Sequence, residues 1–232
     1  MEKLSDNTGF EDIRENYLGI CENIAKSGRE DVRLMAVTKT VSPERVNFAI
    51  GLGVSLLGEN RVQEYLDKRE SYAPAEVHFI GGLQTNKVKY IIDKVSMIHS
   101  VDNMRLAEEI NRRAAQHGKV MDILAEINIG GEETKGGVSA ESAGEFCAMA
   151  AELPNIRLRG LMTIPPAGCG ESVFAEMQEL FERLKVENAH NRENAMFDTL
   201  SMGMSGDYEA AIKYGATIVR IGSALFGRRK YL

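Results

Sequence analysis

Met35-Ala36-Val37-Thr38-Lys39-Thr40-Val41-Ser42-Pro43 is the stretch from which the rest of the chain can be read. The apolar run from Leu34 to Val37 has the length of a buried β-strand. It leads to a single lysine, Lys39, and Ser42-Pro43-Glu44 then opens a helix. Serine is a good N-cap, and proline suits the first helical position. Lys39 is therefore expected at the carboxyl end of a strand, just ahead of a βα turn. Burial there disfavours the ammonium form and lowers the lysine pKa toward a reactive neutral amine. Such an amine can form a Schiff base with a carbonyl. Taken alone, a solvated turn lysine is the plainer reading.

The same strand-then-helix unit recurs outward from this stretch. Ahead of it, Phe10 to Ile24 places Phe10, Ile13, Tyr17, Ile20, Cys21 and Ile24 on one helical face, and Ser27-Gly28-Arg29 ends that helix. After it comes a helix from Pro43 to Ile50, stopped by Gly51 and Gly53. Strands are then expected at Val54 to Gly58, Val77 to Ile80, Val95 to Val101, Met121 to Ile129, Ile156 to Ile164, Thr199 to Met202 and Thr217 to Ile221. Helices fall between them. Asn60 is the expected cap of one and Asp102 of another. The clearest stripe is Val173, Phe174, Met177, Leu180, Phe181 and Leu184, and a short helix is expected from Asp207 to Tyr214. Eight strands alternating with helices predict an α/β chain folded as a single-domain (β/α)8 TIM barrel, residues 1–232, with an extra N-terminal helical segment, residues 1–30, packed on it. The alternative, an open doubly wound sheet, is weakened because the first βα turn lacks a G-x-G-x-x-G fingerprint.

Composition narrows the function. The chain has 232 residues, formal charge -6, 44% hydrophobic and 27% charged residues, as in ordinary globular proteins. The acidic balance argues against a nucleic-acid partner. Cys21, Cys147 and Cys169 form no disulfide framework or metal-ligand spacing. His78, His99, His117 and His190 are dispersed, so no metal is expected, and His78 and His99 read as satisfied core histidines. With no apolar leader and no run of membrane-spanning length, a cytoplasmic protein is expected.

In such barrels the working face is the carboxyl end of the strands. Beside Lys39, that face should receive Glu59-Asn60, Gly81-Gly82 with Gln84, Asn86 and Lys87 just beyond, Ser201 to Asp207, and Arg220-Ile221-Gly222-Ser223. The loops after the last two strands, with Gly203, Ser205, Gly206, Gly222 and Ser223, predict a phosphate site, the amides after Gly222 pointing at the anion. Arg220 enters the same mouth if Ile218 faces the barrel interior. An imine-forming lysine, a phosphate cradle and an arginine together suit pyridoxal 5'-phosphate (PLP), whose pyridine nitrogen needs an Asp or Arg partner.

Ala36-Val37-Thr38-Lys39, Leu57-Gly58-Glu59-Asn60, His78-Phe79-Ile80-Gly81 with Leu83-Gln84-x-Asn86-Lys87, Leu200-Ser201-Met202-Gly203-Met204-Ser205 and Val219-Arg220-Ile221-Gly222-Ser223 resemble the pyridoxal phosphate homeostasis proteins. The resemblance spans nearly the whole chain. It implies a single barrel like the N-terminal domain of alanine racemase, with PLP held on Lys39 and its phosphate on Ser205, Gly222 and Ser223. It also implies Arg220 facing the pyridine nitrogen, Asn60 beside the ring and Ser201 in support. Lys135 matches a family lysine, read as a solvated loop residue or as one that assists cofactor transfer. The tail Gly227-Arg228-Arg229-Lys230-Tyr231 is more basic than the family pattern, read as a solvated end or an extra phosphate contact.

Three functions follow from these residues. In the first, the chain is not an enzyme but a PLP carrier acting in homeostasis, a monomer serving apo PLP-dependent enzymes. An arginine leaves the ring nitrogen unprotonated and the ring a weak electron sink, and the chain ends at Leu232 without the second domain that supplies alanine racemase's opposing base. In the second, it is a monomeric PLP-dependent amino-acid racemase, with Tyr65, Tyr208 or Tyr231 reaching the cofactor's far face. In the third, it is a phosphosugar-handling barrel in which Lys39 meets a sugar carbonyl.

Overall fold

A computed structural model describes residues 9–132, 136–166, 168–191 and 193–227. Eight parallel strands close into a barrel: β1 (Arg33–Val37), β2 (Leu56–Glu59), β3 (Glu76–Phe79), β4 (Met97–Val101), β5 (Met121–Asn128), β7 (Ile156–Thr163), β8 (Ala195–Ser201) and β9 (Ile218–Ile221). Each pairs with its neighbours, and β9 returns to β1 with Met35 opposite Arg220. A two-residue strand, β6 (Val138–Ser139), adds to the side of β5. The expected TIM barrel is the fold, and the open sheet is excluded.

Strand alternation sorts the apolar side chains into two separate cores. Met35, Leu56 and Ile218 form one small interior cluster, and Met97, Leu124 and Met162 another. Their neighbours Ala36, Leu57, Ile98, Ile123, Leu161 and Val219 turn outward into the main core under the helices. Unbranched methionines suit the tapering interior because their side chains bend to fill irregular space. At the amino ends of the strands the interior turns ionic. Arg33 meets Glu76 at 2.5 Å, and Asp122 accepts from Arg157 at 2.7 Å and Arg159 at 2.6 Å.

Around the barrel run α1 (Glu11–Lys26), α2 (Pro43–Leu52), α3 (Val62–Lys68), α4 (Val88–Ile91), α5 (Met104–Gln116), α6 (Ala143–Ala151), α7 (Ser172–Glu187), α8 (Tyr208–Lys213) and α9 (Ser223–Phe226). Every residue of the α7 stripe is buried. In α6 the apolar pattern is only partly inward, since Met149 is 47% exposed. The N-terminal helix α1 lies where the barrel closes: Asn16 Nδ2 donates to the Leu225 carbonyl and Asn23 Nδ2 to the Tyr208 hydroxyl.

Two expected helix caps shift by one residue. Asn60 caps nothing; α3 begins after Arg61. Asn103, not Asp102, caps α5, its Oδ1 accepting from the Leu106 amide at 2.9 Å. Asn103 is extended while its carbonyl already joins the helix, the N-cap conformation. Asn103→Ala is therefore expected to cost about 1 kcal/mol in a urea titration, whereas a change of midpoint within error would deny the cap.

Strand β8 starts four residues earlier than its apolar pattern suggests. Ala195 and Phe197 are buried in the core under the helices, but Met196 and Asp198 are exposed, and polar Asn191 to Asn194 precede them. Phe197 adopts a positive φ of 36°, which breaks the regular alternation.

Candidate functional site

The loop after β1 is held on both sides of Lys39. Thr38 is fully buried and turns outward, its Oγ1 donating to Glu59 Oε1 at 2.7 Å. The Tyr72 hydroxyl donates to the same oxygen at 2.7 Å. Thr40 sits at φ 61°, and its amide donates to Glu64, which Lys68 braces. With Thr38 turned out and Thr40 fixed, Lys39 points across the barrel mouth.

There it lines a cavity of about 420 Å³ with Asn60, Ser205, Arg220, Gly222 and Ser223, a volume in the usual range for small-molecule sites. Six of the seven residues expected at the site thus meet at one place. A second cavity, of about 580 Å³, lies on the other side of Lys39, Gly222 and Ser223, toward Asp12 and Arg45. Asn86 instead lines a separate surface depression with Arg105 and Glu108, and Gln84 is exposed. Glu59 faces away from the mouth: strand alternation puts Gly58 and Asn60 inside and Glu59 outside.

Arg220 is almost wholly buried. Ile218 is an interior residue, which meets the condition for Arg220, two positions on, to enter the mouth. Its Nη1 donates to the Ser201 carbonyl at 2.7 Å and to Ser201 Oγ at 2.9 Å, and its Nη2 to the Thr163 carbonyl at 2.7 Å. Burial lowers the guanidinium to about 10, with Glu126 and Asp207 opposing the shift, so the group stays charged at neutral pH. Ser201, the seventh expected residue, does not line the cavity; it holds Arg220 from beneath.

The anion cradle differs in detail from expectation. The amides of Gly222 and Ala224 donate to Ser205 Oγ at 3.2 and 3.1 Å rather than pointing outward. A hydroxyl that accepts two amides keeps its own hydrogen to donate, so Ser205 can pass their polarity to an anion. Asp207 Oδ1 accepts from the Met204 amide at 2.6 Å and fixes the turn that presents Ser205. Gly206 lines the cavity, and a Cβ built there meets no atom within 4 Å. The space beside that backbone is open for a ligand.

Across the mouth, Asn60 carries a buried Oδ1 with no hydrogen-bond partner among the described residues. A buried amide oxygen left this way is costly unless a ligand or water donates to it. Its backbone packs tightly on the next loop: a Cβ at Gly81 would lie 2.2 Å from the Asn60 carbonyl oxygen, so only glycine fits there.

Glu126 is not among the residues expected at the site, although it and Asp122 are the two acids of the otherwise apolar strand Met121–Asn128. It shares the inward face of Leu124 and lines the cavity. Burial, with Asp102 nearby, pushes its carboxyl from 4.5 up to about 7, while Arg220 pulls it down. Between those two pH values the folded chain keeps a proton that the unfolded chain releases. Stability from this group is therefore full below about 4.5 and lost as pH rises through about 7. Glu126→Gln is expected to remove that loss, gaining about 1–3 kcal/mol on the wild type between pH 4.5 and pH 8. Parallel stability profiles of the two proteins in urea would contradict it.

The tyrosines considered as opposing bases are committed elsewhere. The Tyr65 hydroxyl donates to the Lys94 carbonyl at 2.7 Å, and the Tyr208 hydroxyl accepts from Asn23. Neither lines the cavity. Tyr231, Lys135 and the basic residues Arg228 to Lys230 lie outside the described residues. His78 and His99 are fully buried and hydrogen-bonded to each other at 2.9 Å, as core histidines should be.

Comparison with known proteins gives a consistent picture. Residues 11–230 match the family described as "Alanine racemase, N-terminal domain". A protein of Aquifex aeolicus (strain VF5) named pyridoxal phosphate homeostasis protein is 48% identical over 225 residues, covering 94% of this chain and 96% of its own. The Escherichia coli (strain K12) protein of the same name is 37% identical over 232 residues, with 95% and 98% covered. Among solved structures, PipY of Synechococcus elongatus PCC7942 with PLP bound superposes with a TM-score of 0.76 at 29% identity, over 93% of this chain and all of that one.

Proposed function

The chain belongs to the alanine racemase N-terminal-domain family and, within it, to the pyridoxal phosphate homeostasis proteins, and from that membership we propose that it binds pyridoxal 5'-phosphate and serves its homeostasis, with Lys39 as the anchor. When bound, PLP supplies an aldehyde that condenses with a neutral amine, together with a phosphate and a pyridine nitrogen. The residues present fit such a group. The observation that carries the reading is the convergence of Lys39, Arg220 and the Ser205–Gly222–Ser223 cradle on one cavity of about 420 Å³. Lys39 offers the amine. Ser205, Gly222 and Ser223 offer hydroxyl and backbone donors for the phosphate. Arg220, a donor with no acceptor, keeps the ring nitrogen unprotonated. Asn60, whose buried oxygen otherwise lacks a donor, borders the ring, and Ser201 supports Arg220.

The test is direct. Protein mixed with PLP is expected to turn yellow and, after borohydride reduction, to carry one pyridoxyl group on the peptide containing Lys39. A colourless protein, or a label mapped to another lysine, would overturn this assignment and favour the phosphosugar reading.

Within this function the protein holds its cofactor rather than turning over substrate. Arg220 weakens the ring as an electron sink, and Tyr65 and Tyr208 are bonded away from the cavity. Apo PLP-dependent enzymes are the recipients this reading requires, with the protein a cytoplasmic monomer that binds no nucleic acid, consistent with its charge of -6. Among the described residues no helix is long and apolar enough to cross a membrane. Deuterium exchange at the α-carbon of a broad amino-acid panel should be absent. Exchange that disappears in Lys39→Ala would instead support the racemase alternative.

A further inference from the structure

Beneath the cavity, a single file of polar side chains crosses the methionine-lined interior. Arg220 Nη1 donates to Ser201 Oγ at 2.9 Å, and Ser201 Oγ lies 3.1 Å from His99 Nδ1. His99 Nε2 lies 2.9 Å from His78 Nδ1, and His78 Nε2 lies 2.7 Å from Glu76 Oε1. Glu76 lies near the amino-terminal end of the barrel, paired to Arg33 and bordering a cavity distinct from the one at Lys39. Ser201, His78 and His99 are all fully buried.

The two ends of this file dictate its direction. Glu76 is an ionised acceptor: its hydrogen bond with His78, helped by Arg33, lowers its carboxyl to about 2. His78 Nε2 must therefore carry the hydrogen. Burial lowers the pKa of both histidines, so each is neutral and has one N–H. His78 Nδ1 is then an acceptor, His99 Nε2 the donor to it, and His99 Nδ1 an acceptor. That nitrogen takes the one hydrogen of Ser201, which leaves the serine lone pairs to Arg220. Every donor and acceptor in the file is used in one sense. A neutral imidazole is suited to this because it passes a hydrogen bond on without bringing a charge into an apolar layer.

We propose that His99 and His78 are positioning residues for Arg220: they fix the Ser201 hydroxyl as an acceptor and so hold the guanidinium at the angle the cavity needs. The proposal rests on reading that cavity as the PLP site. Breaking the file frees the Ser201 hydroxyl to rotate its hydrogen toward Arg220, and the arginine loses one of its anchors. A carboxamide offers an acceptor and a donor at about the spacing of the two imidazole nitrogens, so His99→Gln can keep the sense of the file where His99→Leu cannot.

The test has two independent arms. In the protein without cofactor, nitrogen NMR of the histidine side chains should show His99 and His78 as neutral Nε2–H tautomers from pH 7 to 8. A His99 Nδ1–H tautomer, or a charged ring in that range, overturns the proposal. In the second arm PLP is titrated into wild type, His99→Leu, His99→Gln and, remote from the cavity, Glu76→Ala, with circular dichroism as the check on folding. His99→Leu and Glu76→Ala are expected to bind PLP about tenfold more weakly, in line with one lost charge-assisted hydrogen bond. They should also shift the pH midpoint of the visible band, with His99→Gln close to wild type. Folded variants with wild-type affinity and midpoint overturn it. Should His99→Leu not fold, Glu76→Ala and the NMR arm decide. A wild type that takes up no PLP overturns the functional reading instead, and the NMR arm still decides the file.

Discussion

Lys39→Ala is expected to abolish the yellow colour and the borohydride label while leaving the barrel intact. Lys39 is half-buried at the rim of the cavity and lies outside the main core and both interior clusters, so its removal opens no hole in packed structure. Stability without cofactor should change by no more than about 0.5–1 kcal/mol, as for substitutions away from the core. The cradle around Ser205 and the arginine remain, so PLP should still bind, but as an ordinary ligand. Retention is expected to weaken on the order of a hundredfold, or about 3 kcal/mol. Thermal denaturation separates the two states cleanly. At a PLP concentration of about 100 times the wild-type dissociation constant, the wild type gains about 2.7 kcal/mol and the variant only a few tenths. A variant that still colours and still protects its fold at that concentration would remove Lys39 from the anchoring role.

Gly160→Ala should be among the most damaging single changes to the fold. Gly160 lies in β7 at φ 140°, a region closed to other L-residues, beside shifts of register with β8 and β5. A Cβ there would lie 2.0 Å from the Thr199 carbonyl oxygen and 2.9 Å from Phe181 Cε2. The first of these is backbone in the adjacent strand and cannot move aside without disturbing the ladder. Strain and overpacking together suggest a loss of about 3–5 kcal/mol, a large part of the stability of an ordinary domain. Urea unfolding measures it, and a loss below about 1 kcal/mol would show that β7 and β8 can slide apart at no great cost.

Much of the architecture was legible because period and position agree. The α7 stripe is a plain 3.6-residue repeat, and all six of its apolar residues are buried. The mouth was legible for a different reason: strand ends in a barrel share one rim, so Lys39, Asn60, Ser205, Arg220, Gly222 and Ser223 could be brought together from topology alone. What stayed hidden depends on which way one residue faces. Glu59 and Asn60 are adjacent, and only the pleat decides that the first turns under α3 and the second into the cavity. Asp102 and Asn103 are both good capping types, and the sequence does not say which adopts the extended backbone. The start of β8 was masked by exposed Met196 and by the irregular backbone at Phe197. Glu126 stays hidden because an acid in a strand reads equally well as a solvent-facing residue. The histidine file escaped because each histidine, taken singly, is satisfied.

The lining of the barrel interior has a chemical consequence of its own. Met35, Met97 and Met162 are shielded by the strands, whereas Met149 and Met196 are 47% and 45% exposed. Peroxide converts a thioether into a polar, chiral sulfoxide, which an apolar interior does not readily accommodate. Surface thioethers therefore oxidise harmlessly, while those inside react only in chains whose barrel has opened. An opened chain modified there cannot close again in the same way. Oxidation thus turns transient opening into permanent loss, and the sulfoxide content of those three positions records how often the closed sheet comes apart.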